Sequence, residues 1–553
     1  MLKSFVRQVF NVSTPFTLQS IPEFPYSDWL NQQTRYLEYE NWYTGAALDE
    51  KITDSKGNQI DKFPLKLNPI PNTAEKHTAL LLGNTLESIR DGGVPVTFIP
   101  ETPSQTSKSE DGEPNIDPAQ EKARQVITDA LVNAFLGGGG GSLFVSNAIL
   151  SQYLGGSIFG VRYTGNNYDK FPVQVIAPLP TEFIAFPEGN NFWDLREAWF
   201  VREISWMDAK AYGYPVPEMV QNAQMPTDVK NSGYNYWYIE HWTKEEYSCQ
   251  VNEMVIKTAD GMTLAGTNPY GVVPFVYIPH IRTKAFLGNS MITPAIMGII
   301  KEMNSANADI GDAVKVDTHS TVAVRGVRGT MKPVRLPNGK TAVDLGSAAG
   351  LGTAETQPDM FAVETKSASE PQLNYTDRLD TFYRVEARHP AVADGLDEGS
   401  QRSSLTLTTR MWPMQSHVEL ERIEWTTGLL KLAEVILIFC STKSVYNVTQ
   451  AHLDIPLIVK WATMLPRDRA ELVNEIAVRK KNDLISRKHG ISLFGDVDNI
   501  EQELADIDQD KKMASELAIK EAQATRPPTN SAGEDLSASS PDATNFTSQK
   551  SEA

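Results

Sequence analysis

The chain has 553 residues, with 51 Lys and Arg against 69 Asp and Glu, a formal charge of −18. That length is too great for one hydrophobic core and predicts about two to four domains. The acidic balance excludes a protein that grips nucleic acid over its whole surface, though not one that surrounds a nucleic acid that has to slide. The two cysteines, Cys249 and Cys440, lie far apart in sequence, which excludes a zinc motif or a disulfide framework and suits a reducing cytoplasm.

The opening stretch MLKSFVRQVFNVS has neither a long apolar run nor a small-residue cleavage site, so no signal peptide is expected. A helix is predicted around DWLNQQTRYLEYENWYTG, with Asp28 as its cap and Gly45 as its stop. Residues 99–117, polar and rich in Pro and Gly, read as a mobile surface loop. Asp117-Pro118 starts an amphipathic helix with Ala123, Val126, Ile127, Ala130, Leu131 and Ala134 on one face and Gly137 at its end. GGGGGS, 137–142, follows a helix rather than a strand and lacks the closing Gly-Lys-Ser/Thr of a phosphate loop, so a flexible joint is expected there. GGSIFG, 155–160, lacks dinucleotide spacing and reads as the entry to a strand.

From 157 to 280 the pattern is β: SIFGVRY, VQVIAP, EFIAF, EAWFVREISW, YWYIEHWTK, EYSCQV and EMVIKT. Their partial alternation suits sheets covered on both faces. No acid pair or nucleophile–base spacing stands out, and no catalytic residue, metal or cofactor is assigned.

The most regular stretch is Ile292 to Ala313. Ile292, Ile296, Ile299, Met303, Ala306, Ile310 and Ala313 recur at alternating steps of four and three, the seam of a helix that packs along another rod. Thr293 can cap it and Pro294 sits in its first turn. Read as 293–316, it is about 36 Å long at ~1.5 Å per residue. A second helix is expected between Pro371 and Pro390. A third, Ser404 to Thr442, carries Pro413 inside it, which predicts a kink near its first third. Its rhythm is Met411, Met414, Val418, Trp425, Leu429, Leu432, Ile436, Phe439. Within it LLKLAEVILIFC, 429–440, is the most apolar run of the chain. Lys431 and Glu434 interrupt it, so a buried helix is expected rather than a membrane span.

Between the first two of these helices, 318–368 carries Arg325, Arg328, Lys332, Arg335 and Lys340, with no acid between Asp317 and Asp344. This is either a solvated hairpin whose edges carry protective charge or a docking surface for an acidic partner or for phosphate. LPNGK predicts a hairpin turn at Asn338-Gly339. Between the second and third helices, 391–404 holds Asp394, Gly395, Leu396, Asp397, Glu398, Gly399, Gln401 and Arg402, an exposed and adaptable loop. His417 and Glu421 have the i, i+4 spacing of helical metal ligands. With no third ligand visible, a surface polar pair is expected, and the other histidines look scattered. After the strand IPLIVKW come helices RDRAELVNEIAVRKK, NDLISRKHG and NIEQELADIDQDKKMASELAIKEAQA. The first two mimic a helix-turn-helix, but the acids from Asp496 to Asp510 would repel phosphate. From Arg526 a disordered tail is expected.

The order of these pieces resembles the portal proteins of tailed bacteriophages. The matching stretches are YLEYENWYTG, YIEHWTK followed by NPYGVVPFVYIPH, LGNSMITPAIMGIIKEMNSANADIGDAV, and VKWATMLPRDRAELVNEIAVRKKNDLISRKHGI with EQELADID, together spanning about residues 30 to 510. GSQRSSLTL stands where that family commonly has a small-residue Ser-Gly-Ala-Leu type turn.

The resemblance implies an α+β portal-like subunit with an α/β wing (1–286), a stem of two helices (287–317 and 369–390), a small β-containing clip (318–368) and a tunnel loop (391–404). A long kinked helix with a wing return strand (405–465), a helical crown (466–525) and a disordered tail (526–553) complete it. It further implies a virion protein, assembled in the host cytoplasm, that forms a ring, typically of twelve subunits, at one capsid vertex. Double-stranded DNA passes through that ring. The implied partners are the terminase large subunit, the major capsid and scaffold proteins and a head–tail adaptor, with no membrane and no catalysis. On this reading Ile292, Ile296, Ile299, Met303 and Ile310 form an inter-subunit seam, buried between subunits or against the second stem helix, since a heptad with no partner heptad in its own chain can be satisfied by the neighbouring subunit. The alternatives are a nucleic-acid-processing enzyme and a non-channel neck or scaffold protein.

Overall fold

The computed structural model describes residues 18–21, 23–53, 58–63, 65–83, 96–100, 118–215, 236–252, 254–257, 263–283, 285–318, 321–325, 332–335, 341–344, 359–363, 370–396, 404–464, 469–482, 484–487, 490–491 and 500–524. Helices and strands are mixed in an α+β arrangement. The chain separates into two compact units, Met1–Pro466 and Arg467–Ala553.

In the first unit the helices are α1 (Tyr26–Thr44), α2 (Ile70–Leu82), α3 (Pro118–Gly137), α4 (Gly141–Leu154), the short α5 (Trp206–Ala211), α6 (Pro294–Thr318), α7 (Glu370–Glu386), α8 (Ser404–Lys443) and the one-turn α9 (Gln450–Leu453). Gly45 closes α1 in the left-handed region, at φ 82°, which costs glycine nothing. Its other end departs from expectation. The helix begins one turn earlier, after Pro25, and Asp28 lies in the first turn, where a carboxylate still complements the helix dipole.

β1 (Lys51–Thr53) and β2 (Gln59–Asp61) pair as a small antiparallel ribbon. A three-stranded sheet holds the centre, in the order β12 (Phe275–Pro279), β4 (Gly156–Tyr163), β5 (Val173–Ile176), antiparallel throughout. Strand alternation sends its side chains into two cores. Phe159, Val161, Val276 and Ile278 join one, while Ile158, Phe275 and Tyr277 join the other. The second core is shared with a larger antiparallel sheet whose path is β10 (Met254–Val255), β9 (Glu246–Val251), β8 (Tyr236–Thr243), β7 (Asn191–Ile204), β6 (Phe183–Glu188). On it β11 (Ala265–Thr267) also pairs with β9. The far face of that sheet packs Trp199, Val201 and Ile239 under Leu18, Ile21 and Phe24. Both faces are thus covered, which is why the strands alternate only partly.

The first core is built on α8. Met411, Met414, Val418, Trp425, Leu429, Leu432, Ile436 and Phe439 are all buried. Each large apolar side chain so buried contributes roughly 1.5–3 kcal/mol relative to exposure. Against α8 lie α2 and α3, with Ile127, Ala130, Leu131 and Ala134 of α3 buried as their spacing predicts. The five glycines between α3 and α4 are a packed corner, not a flexible joint. A Cβ on Gly138 would stand 1.8 Å from the Val175 carbonyl oxygen, and one on Gly137 would stand 2.8 Å from Phe171 Cβ. Only glycine lets this corner sit so close to β5.

The same core is closed by a pairing across most of the chain: β3 (Val96–Pro100) is antiparallel to β17 (Leu457–Trp461). Residues 99–100, expected in the loop, are the end of that strand. Arg422 on α8 locks the region, donating to the carbonyls of Leu80, Leu81 and Ala462 at 2.7–3.3 Å. Both cysteines are free and buried, and burial pushes each thiol up to about 12, so neither is a reactive thiolate.

In the second unit α10 (Arg469–Lys481) and α11 (Ile500–Ala524) are described, with an ion pair of 2.5 Å between Arg487 and Asp508. The tail expected to be disordered lies outside the described residues.

Candidate functional site

α6 and α7 form an antiparallel hairpin. Its base is fixed by Thr293 Oγ1 donating to Glu386 at 3.4 Å, and further along Tyr375 OH donates to Glu302 at 3.0 Å. Thr293 also caps α6, its hydroxyl accepting from the Ile296 amide at 3.2 Å, so the Thr-Pro start works as its sequence suggests.

The apolar stripe of α6 is placed inside the chain at its base. Ile292, Ile296 and Ile300 are buried with Trp42, Leu48, Phe63, Ile70, Tyr383 and Ala387. The steps are four and four, so Ile300 is buried while Ile299 and Met303 pack at the flank and Ile310, farther along, is half-buried. A straight helix advances 100° per residue, and a four-residue step keeps to a face that α1 and α2 cover, whereas a heptad seam needs a rod running the full length. Ile292 and Ile296 are therefore buried within the chain, in one cluster with Tyr383 of α7 and Ala387 just past it, which is the second of the two placements expected for the seam. Asn304 extends the buried stripe with a polar clamp that sequence reading missed. Its amide accepts from the Leu67 N–H at 2.7 Å and donates to the Leu67 carbonyl at 2.9 Å.

The hairpin's other surface carries apolar residues in the open. Leu373, Tyr375, Phe382 and Val385 of α7 and Val314 of α6 are exposed, Val385 at 72%.

The excursion between α6 and α7 enters and leaves through one ribbon, β13 (Thr321–Arg325) antiparallel to β16 (Asp359–Val363). A second ribbon pairs β14 (Lys332–Arg335) with β15 (Thr341–Asp344). Arg325 stands opposite Asp359 in register, Lys332 opposite Asp344, and Arg335 opposite Thr341. Arg328, Lys340 and the Asn338-Gly339 turn lie outside the described residues.

After α7 the chain makes a 3-10 turn, Ala391–Asp394, closed by Gly395 at φ 74°. Asp394 accepts from Asn72 at 2.9 Å, His389 at 2.9 Å and Arg384 at 3.0 Å. Burial alone would raise its pKa, but these donors outweigh burial and hold it at about 2. Asp394 is thus a tie between the turn, α2 and α7, and not a free acid. Gly395 and the exposed Leu396 lead away from it, while Asp397, Glu398, Gly399, Gln401 and Arg402 lie outside the described residues.

His417 and Glu421 are not a surface pair. Glu421 is fully buried, and both of its carboxylate oxygens accept from Gln152 Nε2 at 2.8 Å. Burial pushes its pKa up to about 8, so it is protonated at neutral pH. Among the described residues no three His, Cys, Asp or Glu side chains are placed to hold a metal ion, and no helix is long and apolar enough to cross a membrane.

The described residues thus form two main cores on either side of one three-stranded sheet, and a helical hairpin that carries a separate β excursion. Residues 269–517, just under half of the chain, match the family model described as "Phage portal protein, SPP1 Gp6-like". That span runs from the approach to β12 through the hairpin, the excursion, α8 and into α11, and over it the resemblance to tailed-phage portal proteins is borne out. No curated protein matches the chain. Among solved structures it is similar to a chain of "Virion of native gene transfer agent (GTA) particle", at 11% identity and a TM-score of 0.35, covering 84% of this chain and 98% of that one.

Proposed function

We propose that the chain is a phage portal protein, one subunit of a ring at a single capsid vertex through which double-stranded DNA is packaged and later ejected. The observation that carries this reading is the family match over 269–517. In this assignment 1–286 and 405–465 make the wing, α6 and α7 the stem, 318–368 the clip, 391–404 the tunnel loop, 466–525 the crown and 526–553 a tail. Exposed apolar residues on α7 supply a surface for the next subunit, since a head-to-tail contact that closes gives a ring. A formal charge of −18 suits a channel that must let phosphate pass without holding it.

The clip, with Arg325, Arg328, Lys332, Arg335 and Lys340, is the docking site for the terminase large subunit and afterwards for the head–tail adaptor. The wing side meets major capsid and scaffold protein. ATP hydrolysis belongs to the motor, and the portal itself has no catalytic role.

Mass photometry of the purified full-length chain tests the assembly. We expect one dominant species near twelve times the 61.3 kDa chain mass. A monomer or dimer at every concentration up to the micromolar range contradicts the proposal.

A further inference from the structure

Four of the eight histidines come together where α2, the segment after β12, the end of α7 and the middle of α8 meet. The rings of His77 and His280 each meet that of His417 edge to face, at 5.5 and 5.3 Å between centroids. His77, His280 and His389 are almost completely buried.

The hydrogen bonds fix their protonation. Arg388, just past the end of α7, donates to His417 Nδ1. A guanidinium has no acceptor, so Nδ1 must carry the lone pair and His417 must be neutral. His280 Nδ1 lies 2.9 Å from the Asn289 carbonyl, which makes it the donor and leaves Nε2 bare, 3.8 Å from Glu421 Oε2. Neither ring nitrogen of His77 makes a well-formed hydrogen bond, although the Ala387 backbone is near enough to raise its pKa slightly. Arg388 itself is held at φ 50°, a left-handed conformation uncommon for residues other than glycine.

We infer that His77, His280, Arg388, His417 and Glu421 form a proton-sensitive latch, which fastens the returning end of the α6–α7 hairpin to α8 near neutral pH and releases it in acid. A proton on His417 Nδ1 would set an N–H against the guanidinium and break the Arg388 link. This inference rests on the cluster alone and stands whether or not the chain is a portal.

The surroundings offer little to stabilise an added positive charge. Arg388 faces the rings from the α7 side, while His389 and Arg384 there are engaged by Asp394. From α8 come Glu421, already protonated, and Arg422, turned to backbone carbonyls. α4 contributes the neutral Gln152, and Arg282 beyond β12 has Glu424 as its acid. Burial is the first cause holding His77 at about 3, His280 at about 4 and His417 at about 2; neighbouring histidines lower His77 and His417 further, the Arg388 guanidinium lowers all three, and the bond to the Asn289 carbonyl opposes this at His280.

The sign of the pH effect follows. On opening, each of the three depressed histidines returns towards about 6.5 and takes up a proton below it. Glu421, raised in the closed state, releases one between about 8 and its open value of about 4.3. Uptake by three sites and release by one balance near pH ~6.8, where the latch is tightest. From about pH 6 to 5 the net uptake is about two protons, a hundredfold increase in opening per pH unit. From about pH 7 to 8 the net release is at most about half a proton, so opening rises with pH only about threefold.

Hydrogen exchange of the full-length protein, followed by mass spectrometry from pH 5.0 to 8.5 and corrected for intrinsic rates, reads this directly. Peptides within 384–396 and 411–425 should show greatest protection near pH 6.8 and fall on both sides. His417→Gln should reduce the acid limb to about tenfold per pH unit, and Glu421→Gln should flatten the alkaline limb. Corrected protection that does not change with pH, or an acid limb unaltered in His417→Gln, would overturn the inference. Should either variant fail to fold, the wild-type curve alone decides, because absence of a maximum near neutrality contradicts the latch.

Discussion

Ile299 and Ile300 are neighbours on α6 with opposite fates, and exchanging each for alanine separates the packing seen within one chain from a seam between chains. Ile300 is 0% exposed among Trp42, Leu48 and Ile70, so Ile300→Ala removes buried carbon and leaves a cavity, at a cost of about 2–5 kcal/mol. Ile299 is half-buried at the flank of the same cluster, so Ile299→Ala should cost about 1 kcal/mol in the single chain. Thermal melts of the two variants, with hydrogen exchange across 292–304 to localise the loss, make the comparison. Ile299→Asp adds a second arm. If neighbouring subunits cover that flank, it should leave the chain folded but sedimenting as monomers or broken rings, because an unpaired charge would be driven into a closed contact. A larger loss from Ile299→Ala than from Ile300→Ala would refute the packing described for the base of the hairpin.

Gly138→Ala should destabilise by about 1–3 kcal/mol through overpacking against the Val175 carbonyl, read as a lowered melting temperature, whereas a flexible joint would tolerate it. Asp394→Asn should weaken the turn after α7. Because the folded pKa is depressed to about 2 from an ordinary value near 3.8, the carboxylate's stabilisation is present above about pH 4 and is lost as pH falls towards 2. The variant's melting temperature should therefore vary less with pH over that window than the wild type's. Reversing the charge of Arg325, Lys332 and Arg335 should leave the assembly intact and weaken terminase or adaptor binding in a salt-dependent way. Binding unchanged across a salt series would favour a simple solvated hairpin.

How much of this was legible in the sequence depends on whether the signal was local. The buried stripe of α8, from Met411 to Phe439, was readable residue by residue because helical periodicity reports a face directly. The Thr293-Pro294 start of α6 and the Gly45 stop of α1 were readable for the same reason. The pairing of β3 with β17 was not, since neither segment says which distant strand will complete it. Ile300 lost out to Ile299 because a 4-3 rhythm is shared by a heptad seam and by a globular face, and only the covering helices decide between them. The glycine corner looked loose because spacing cannot show a carbonyl lying against Gly138. Asp394 looked like one of several free loop acids until Asn72, Arg384 and His389 converged on it. The histidine cluster was hidden most completely. Its members lie far apart along the chain, and only His417 and Glu421 shared a local spacing.

The central claim, that this chain builds a closed ring with a channel, is tested most directly by negative-stain imaging of the purified protein. The account predicts end-on views of a ring with a stain-filled central hole wide enough for a duplex. Compact particles without a central hole, or open filaments, would contradict it.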